Sequence, residues 1–428
     1  MNALLVALLL AQPSPPAPAP PSGPVLTLDD ALQRARAHPR VAQASAAAAQ
    51  ASARSREAFA GFLPAGTASA SYGKTSSGRS GSDVLTPGGT TVPGGSGVQD
   101  LYSATLNLDA PIWDFGRTLE SVRAARASEQ ASRADLGAAR DEQQFQVRQA
   151  YYAALASGAL VAVADDTIVQ MERHLAFAQA SLEVGRRTRF DVTRAEVDLA
   201  NARIQKIQAD NGLANARAAL AGAIGEDLGD SRLAEPAAPE EPDPDPRAAV
   251  ARALRARPEL AALDRRIAAA ESAATAVRDA WYPTLGASGQ LGWRGSDLPL
   301  SRTWQVLGTL TWPFLNGGAD VARAAEASAA ADAARATLAA EVLQVKVEVE
   351  QAALAVGEAR ARRDVSKVLV AQATENLELA EGRYQAGVGS IVDLVDAQAA
   401  LTSARAQRIR SGYDLATARA RLVRTLGE

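Results

Sequence analysis

Cysteine is absent from the 428 residues of this sequence, which excludes disulfides, thiolate metal sites and cysteine nucleophiles. A lipid anchor at the N-terminus is not expected either, because it needs a cysteine at the cleavage site. Only His38 and His174 could serve as histidine ligands, so no metal site is expected. Aromatic residues make up only 4% of the chain, and alanine runs are frequent. This composition favours long packed helices over a round globular core.

Motifs of catalysis and of nucleotide binding are also missing. The sequence contains no Walker A motif, no dinucleotide fingerprint, no H-E-x-x-H and no G-x-S-x-G. The net charge of -3 gives no basic footprint for nucleic acid. We therefore expect neither an enzyme, nor a cofactor, nor a nucleic-acid-binding protein.

The N-terminus is typical of an exported protein. An apolar run from Ala3 to Ala11 is followed by a Pro/Ala-rich stretch, so residues 1–24 are interpreted as a signal peptide and leader. The cleavage site itself stays open, with Ala11 a candidate. No later segment has 18 consecutive apolar residues, so no membrane-spanning helix is expected. Such a chain is periplasmic, secreted or a membrane β-barrel.

An internal repeat organises the chain. The turn Pro111-Ile112-Trp113-Asp114-Phe115-Gly116 matches Pro313-Phe314-Leu315-Asn316-Gly317-Gly318 at an offset of 202 residues, and Gly185 and Asp191 match Gly387 and Asp393 at the same offset. Upstream, His38-Pro39 and Pro64 match Arg257-Pro258 and Pro283 at an offset of 219. The first half is thus 17 residues longer, and the excess falls in the Gly/Ser/Thr-rich stretch from Lys74 to Gln99, typical of a surface loop.

We predict a tandem duplication on this basis. The first repeat spans 25–225, an acidic Pro-rich linker spans 226–248, and the second repeat spans 249–428. Each repeat reads as a helix, a β-hairpin, a long helix and a returning helix. The hairpins are predicted at about 65–113 and 284–312, from the alternation of apolar and polar residues with period two.

All five tryptophans lie in or beside these hairpins: Trp113, Trp281, Trp293, Trp304 and Trp312. Tryptophans at strand ends are typical of the aromatic girdles of an outer-membrane barrel. Four strands cannot close a barrel in lipid, so several chains must contribute strands, and three copies would give twelve. A small soluble β-layer is the alternative interpretation of these strands.

The long helices are predicted at about 118–183 and 319–386, each about 100 Å at 1.5 Å per residue. A stripe of Leu338, Val342, Val345, Val349, Ala352 and Val356 steps by four and three, as in a coiled coil. Each helix breaks at a glycine, at about 184–191 and 386–393, because glycine ends a helix at low cost. Each repeat is therefore expected to end in a helical hairpin.

The chain resembles the TolC-like outer-membrane efflux protein family. The resemblance rests on the helix ending in Leu63-Pro64, the Pro-Ile-Trp-Asp-Phe-Gly turn and the Gly-x5-Asp tip, each occurring twice. It implies a homotrimer with a 12-stranded β-barrel in the outer membrane and a coiled-coil α-barrel of 12 helices in the periplasm. It also implies a passive exit duct for tripartite efflux or type I secretion, served by a periplasmic adaptor and an inner-membrane pump or ABC exporter.

The resemblance assigns residues at the tips. Val184, Gly185, Ala386 and Gly387 match the tip residues that meet the adaptor. Asp393 and Asp396 match the carboxylates that ring the closed entrance, and Tyr384 and Asp191 match a latch that holds it shut. This sequence has Gly389 where the family pattern has the latch arginine, so Arg186, Arg187 or Arg189 could substitute. Whether the closed-state latch survives stays open.

Two questions remain open at the level of sequence. A periplasmic coiled-coil scaffold or adaptor without a pore is the alternative function, although such a protein gains nothing from lipid-facing hairpins. The transported substrate and the pump cannot be read from the chain, so drug efflux, heavy-metal efflux and protein secretion remain possible.

Overall fold

The computed structural model describes residues 24–77, 84–85, 91–92, 97–236 and 245–427. Nearly all of the predicted leader, and parts of the predicted loop and acidic linker, lie outside the described residues. The elements in chain order are β1 (Val25–Leu26), α1 (Leu28–Arg34), a 3-10 turn (Ala35–Ala37), α2 (Pro39–Ala60), β2 (Ala65–Ser77), β3 (Val84–Leu85), β4 (Thr91–Val92), β5 (Gly97–Trp113), α3 (Arg117–Glu183), α4 (Arg189–Ile224), β6 (Arg232–Leu233), α5 (Pro246–Ala256), α6 (Pro258–Asp279), β7 (Thr284–Gly295), β8 (Ser301–Thr311), α7 (Ala319–Gln385) and α8 (Ile391–Leu426).

The chain divides into two compact units. The helical unit comprises Met1–Ala44, Leu136–Pro258 and Val342–Glu428, and the sheet unit comprises Ser45–Asp135 and Glu259–Glu341. Both repeats contribute to each unit. The long helix of each repeat, α3 or α7, has its first residues in the sheet unit and its remaining residues in the helical unit.

The sheet unit contains a four-stranded antiparallel sheet in the order β2-β5-β7-β8. Leu106 of β5 lies between Ala68 of β2 and Leu291 of β7, and Leu291 in turn faces Trp304 of β8. β2 pairs with β5 and β7 pairs with β8, and the pairing of β5 with β7 joins the two pairs into one sheet. A register irregularity between Pro111 and Trp113 marks the end of this pairing.

The register gives the sheet two different faces, because directly opposed residues point to the same side. One face carries mainly apolar and aromatic side chains: Ala68, Ala70, Tyr72, Tyr102, Ala104, Leu106, Leu108, Leu285, Leu291, Trp293, Trp304, Val306 and Leu310. The other carries mostly hydroxyl and amide side chains: Thr67, Ser69, Ser71, Ser103, Thr105, Asn107, Ser288, Gln290, Thr303, Gln305 and Thr309. Ser69 and Thr105 are 2.6 Å apart across the polar face, and Ser71 and Ser103 are 2.7 Å apart.

The turn from the sheet into each long helix uses two consecutive left-handed residues. Phe115 and Gly116 have φ of 56° and 101°, and Gly317 and Gly318 have φ of 55° and 83° at the equivalent place. Two glycines adopt this geometry without steric cost, whereas Phe115 carries a cost of about 1 kcal/mol. The Asp114 carboxylate accepts a hydrogen bond from the Thr118 backbone N–H at 2.7 Å and so caps α3.

Two long helices and two returning helices dominate the helical unit. The long helices α3 and α7 have 67 residues each, and α4 and α8 have 36 residues each. In the predicted coiled-coil stripe, Val345, Val349, Ala352 and Val356 are buried, whereas Leu338 and Val342 are half-buried. These small side chains allow close helix packing.

A parallel strand pair, which the sequence did not predict, closes the core of the helical unit. β1 pairs with β6, and the buried Tyr151 hydroxyl lies 2.9 Å from the Leu26 carbonyl and 2.6 Å from the Ala234 carbonyl. Burial raises the pKa of Tyr151 to about 12, so the hydroxyl stays a donor. Strands of two residues are too short to show any alternation, which is why no sequence pattern announces them.

Among the described residues, α3 meets the length and composition criteria for a membrane span. We expected no such helix because the chain has no run of 18 consecutive apolar residues. The alanine-rich middle of α3 meets the criteria because they use the mean hydropathy of a stretch, which tolerates single polar residues. Only 11% of the qualifying stretch is buried. A single helix of this kind is weak evidence for a membrane span.

Candidate functional site

The two helix breaks form the candidate site in the helical unit. We call Val184–Asp191 the first tip and Ala386–Asp393 the second tip. Gly185 and Gly387 have φ of 72° and 79°, the left-handed conformation in which glycine ends a helix. The backbone N–H groups of Arg186 and Val388 donate to the carbonyls of Ser181 and Arg383, at 2.9 and 3.1 Å. These bonds satisfy helix-end carbonyls and fix both turns.

Beside these glycines, Val184 and Ala386 are also exposed, so all four predicted tip residues lie at the surface of the described chain. Val184 and Val388 are 69% and 74% exposed, unusually high for large apolar side chains. Exposed apolar side chains grouped at a turn are typical of a contact surface.

Each returning helix begins with a capping box. Asp191 accepts hydrogen bonds from the backbone N–H and the hydroxyl of Thr188, both at 3.0 Å, and is only 8% exposed. In the second tip, the Ser390 hydroxyl accepts from the Val392 N–H at 3.1 Å, and the Ser390 N–H reaches Asp393 at 3.4 Å. Asp393 and Asp396 are exposed, so their charges are available to solvent whereas that of Asp191 is committed to its cap.

Arg187 connects the first tip to the last turn of α7 through Tyr384. Its guanidinium donates to the Tyr384 backbone carbonyl at 2.8 Å and lies 4.0 Å above the centre of the Tyr384 ring. The ring itself is 3% exposed and contacts Phe177, with centroids 5.7 Å apart. Of the three arginines that could replace the missing latch residue, Arg187 is the one that contacts Tyr384.

The Tyr384 hydroxyl is buried and has no hydrogen-bond partner among the described residues. It is therefore not hydrogen-bonded to Asp191, the partner that the resemblance implied. Burial raises the pKa of Tyr384, the Arg187 charge opposes this rise and the Asp191 charge adds to it. A cavity of about 480 Å³ adjoins this ring and is lined also by Gln170, whose buried side-chain oxygen likewise has no hydrogen-bond partner in the described part of the chain.

Gly389 cannot carry a side chain in this arrangement. A Cβ atom there would lie 2.9 Å from the Tyr384 backbone nitrogen and 3.0 Å from the Arg383 carbonyl carbon. Contacts this close require a backbone shift. The first tip, rather than position 389, therefore supplies the cation beside Tyr384.

The tryptophans fall into two groups in the sheet unit. Trp113, Trp281 and Trp312 lie at one end of the sheet, where the Trp312 ring N–H donates to the Trp281 carbonyl at 3.2 Å. Near them, Phe115 stacks on Tyr282 with centroids 5.3 Å apart. Trp293 and Trp304 lie on the apolar face nearer the other end. Seven residues separate Trp304 from Thr311, about 23 Å along a strand.

The described residues contain no group of three His, Cys, Asp or Glu side chains arranged to hold a metal ion.

Phe177, at the Tyr384 ring, was not predicted. A lone phenylalanine on a helix carries no signal that separates it from ordinary packing.

A family model described as "Outer membrane efflux protein" matches residues 27–226 and 249–428. OprJ, an outer membrane protein of Pseudomonas aeruginosa, is 30% identical over 147 residues, which cover 33% of this chain and 31% of OprJ. TtgC of Pseudomonas putida, a probable efflux pump outer membrane protein, is 26% identical over 370 residues, which cover 81% of this chain and 73% of TtgC.

The fold is similar to that of a solved channel. The CmeC outer membrane channel of Campylobacter jejuni superposes with a TM-score of 0.82 at 20% identity. The superposition covers 94% of this chain and 85% of CmeC.

Proposed function

The chain belongs to the outer membrane efflux protein family, and from this premise we propose that three copies of it form a passive exit duct. It is an outer-membrane protein of efflux systems and extends into the periplasm. In the proposed assembly, an inner-membrane pump and a periplasmic adaptor deliver the substrate, and the duct conducts it across the outer membrane.

The observation that carries the proposal is the two-faced sheet. Its apolar face suits lipid, and its hydroxyl-lined face suits a water-filled interior. Within the described residues, β2 and β8 are edge strands of a four-stranded sheet. Lipid does not tolerate open edges, because unpaired backbone groups cost several kcal/mol each, so neighbouring copies must close the sheet. Three copies give twelve strands.

The exposed carboxylates of Asp393 and Asp396 are proposed to form the entrance gate. Three copies would bring six carboxylates around one axis, a constriction that attracts cations. Asp191 belongs to this site as a capping residue for the first tip. Tyr384 and Arg187 are proposed to hold the helical hairpins α3–α4 and α7–α8 together in the closed state.

Val184, Gly185, Ala386 and Gly387 are proposed to meet the adaptor. All four lie at exposed helix breaks, where the apolar side chains of Val184 and Ala386 are available for contact. The five tryptophans are proposed to anchor the sheet at the two lipid interfaces, in the groups described above.

The apolar face of the sheet disfavours a pore-free periplasmic scaffold, because in such a protein this face would be exposed to water. The two functions differ in a simple assay. The duct requires detergent for solubility and migrates faster on a gel before heating than after it. A scaffold would be soluble without detergent and would show no such change.

The decisive experiment is single-channel conductance in planar bilayers, comparing the wild-type protein with Asp393→Asn/Asp396→Asn. Asparagine keeps the capping hydrogen bonds while removing the charge. We expect small cation-selective steps from the wild type and a loss of cation selectivity in the double variant. Asp364→Asn, an exposed carboxylate elsewhere on α7, is the control and should behave as wild type. Absence of conductance from folded oligomers would refute the duct, whereas selectivity unchanged by both substitutions would refute only the gate.

A further inference from the structure

The two tips occupy equivalent places in the repeat but carry different chemistry. In the first tip, Arg186, Arg187 and Arg189 outweigh Asp191, giving a net charge of +2. In the second tip, Asp393 is the only charged residue, giving -1. At the repeat offset of 202, the three arginines correspond to Val388, Gly389 and Ile391. The duplication has therefore produced one basic tip and one apolar tip.

Two of the three arginines are free to meet a partner. Arg187 is committed to Tyr384, but Arg186 and Arg189 are exposed and form no ion pair with the residues that the structure describes. Glu183, at the end of α3, is the nearest acidic residue in the chain outside the tip and lowers the local charge to +1 when it is counted. The basic surface persists with it included.

Local helix physics does not favour a cation at Arg189. Arg189 is the first residue of α4, directly after the N-cap Thr188, whereas Arg186 follows the C-terminus of α3, where a cation is favoured. The N-terminus of a helix carries a partial positive charge, so cations there are destabilising. The second tip avoids this arrangement. An anionic group from outside the chain would offset the repulsion in the first tip.

We infer that the first tip docks an acidic segment of the periplasmic adaptor, with Arg186 and Arg189 facing carboxylates, while the second tip makes an apolar contact through Val388. This inference rests on the proposed function, because it gives the chemistry of the partner at the proposed docking tips. Charge complementarity of this kind steers association and fixes the register of a complex. The adaptor then distinguishes the two tips of one chain by charge.

The test combines photo-crosslinking with binding measurements on the full-length protein. p-Benzoylphenylalanine replaces Val184 or Val388 in the native host, and the captured partner is identified together with its crosslinked peptide. The partner is then purified, and its affinity for wild type, Arg186→Gln/Arg189→Gln and Arg186→Glu/Arg189→Glu is measured at 50 and 500 mM NaCl. Arg194→Gln is the matched control, because Arg194 is also exposed but pairs with Asp198 at 3.3 Å.

We expect the peptide captured at Val184 to contain carboxylates. The glutamine variant should bind about tenfold more weakly with a flatter salt dependence, and the glutamate variant should not bind. Lysine substitutions at the captured carboxylates should restore binding to the glutamate variant. Arg194→Gln should match wild type.

Three results would overturn the inference in distinguishable ways. A captured partner whose affinity changes neither with the arginine substitutions nor with salt would support docking at the tips but refute the acidic contact. Arginine-dependent binding to phosphatidylglycerol vesicles, with an arginine-independent partner, would assign the first tip to a lipid surface. Capture of nothing at either tip, with normal conductance, would refute the docking part of the proposed function and this inference with it.

Discussion

Arg187 shows how a single side chain can join two parts of the chain that are 197 residues apart in sequence. Its guanidinium uses two properties at once, because it donates to the Tyr384 carbonyl and lies over the Tyr384 ring. Lysine could not reproduce both, since it lacks the planar donor group. The Tyr384 hydroxyl contributes no hydrogen bond within the described residues. The contact therefore depends on the ring and the backbone of Tyr384 rather than on its hydroxyl.

This geometry predicts a large effect for one substitution and almost none for another. Arg187→Ala should destabilise the closed tip by about 2 kcal/mol, from the lost charged hydrogen bond and cation–π contact, and should raise the open probability in planar bilayers. Tyr384→Phe should leave gating close to wild type, because it removes an unpartnered hydroxyl. Gating strongly altered by Tyr384→Phe, but not by Arg187→Ala, would contradict the assignment.

A second residue-scale prediction concerns the buried Arg257. Its side chain donates to Glu348 at 2.9 Å and to the Thr425 carbonyl at 2.7 Å. Arg257→Met would leave the Thr425 carbonyl and the partly buried Glu348 without this donor. We expect a loss of about 3 kcal/mol in the apparent free energy of unfolding, measured by guanidinium denaturation in detergent. Arg266→Met, which removes an exposed pair with Asp135, is the control and should cost less than about 1 kcal/mol.

The same pair predicts a pH dependence. Burial alone would raise the pKa of Glu348, but hydrogen bonds from Arg257 and Gln344 outweigh it and leave the pKa below the ordinary value of 4.5. A lowered pKa in the folded state means that the stabilisation is present above pH 4.5 and is lost as the pH falls through the folded pKa. The difference in the apparent free energy of unfolding between the wild type and Arg257→Met should thus become smaller below pH 4.5. An advantage that is constant from pH 7 to pH 3 would contradict this.

At the scale of elements, the two helix breaks depend on backbone conformation more than on contacts. A Cβ atom on Gly387 would have no neighbour within 4 Å, so only its φ of 79° disfavours another residue. Gly382 also has open space around it, but it lies inside α7. The same substitution therefore has different physical consequences at positions five residues apart.

Alanine at these two glycines should change the stability of the second tip in opposite directions. Gly387→Ala should lower it by about 1 kcal/mol, because the left-handed conformation is strained for alanine. Gly382→Ala should raise it by about 0.5–1 kcal/mol through helix propensity. Hydrogen exchange of the Val388 and Gly389 amides reports the local opening. Equal effects of the same sign would show that the turn is not held by its backbone conformation.

At the scale of the whole molecule, one chain leaves apolar helix surface uncovered. Exposed apolar side chains occur along α7 and α4: Leu343, Val347, Leu354, Val365, Val368, Leu379, Val197, Ile204 and Ile207. Rows of such side chains mark contact surfaces, and in the proposed assembly they are covered by neighbouring copies. This agrees with the sheet, whose edge strands also require neighbours.

Leu354→Glu should therefore prevent assembly without unfolding the chain. Leu354 is 70% exposed in the single chain, and a carboxylate buried there in an interface would cost about 3 kcal/mol. Light scattering in detergent should show smaller particles, with helix content unchanged by circular dichroism. Gln351→Glu adds the same charge at a nearby exposed position and tests whether charge alone disrupts assembly. A Leu354→Glu protein of wild-type size would contradict an interface at this row.

The sequence by itself determined the order and kind of the main elements. The repeat located the hairpins, the glycine breaks and the turns at Phe115 and Gly317, because these features depend on local conformation and on periods of two or 3.6 residues. Alternation along β5, β7 and β8 also showed that each strand has an apolar and a polar side.

Only the tertiary structure decided which distant groups meet. The pairing of β1 with β6, the contact of Tyr151 with two carbonyls and the choice of Arg187 among three arginines depend on packing between segments remote in sequence. No local pattern encodes such distances, since neighbouring arginines are equivalent until the fold gives each a different surrounding. Among the described residues, the structure likewise left the Tyr384 hydroxyl without Asp191, whose Oδ2 accepts the hydrogen bonds from Thr188 in the cap of α4.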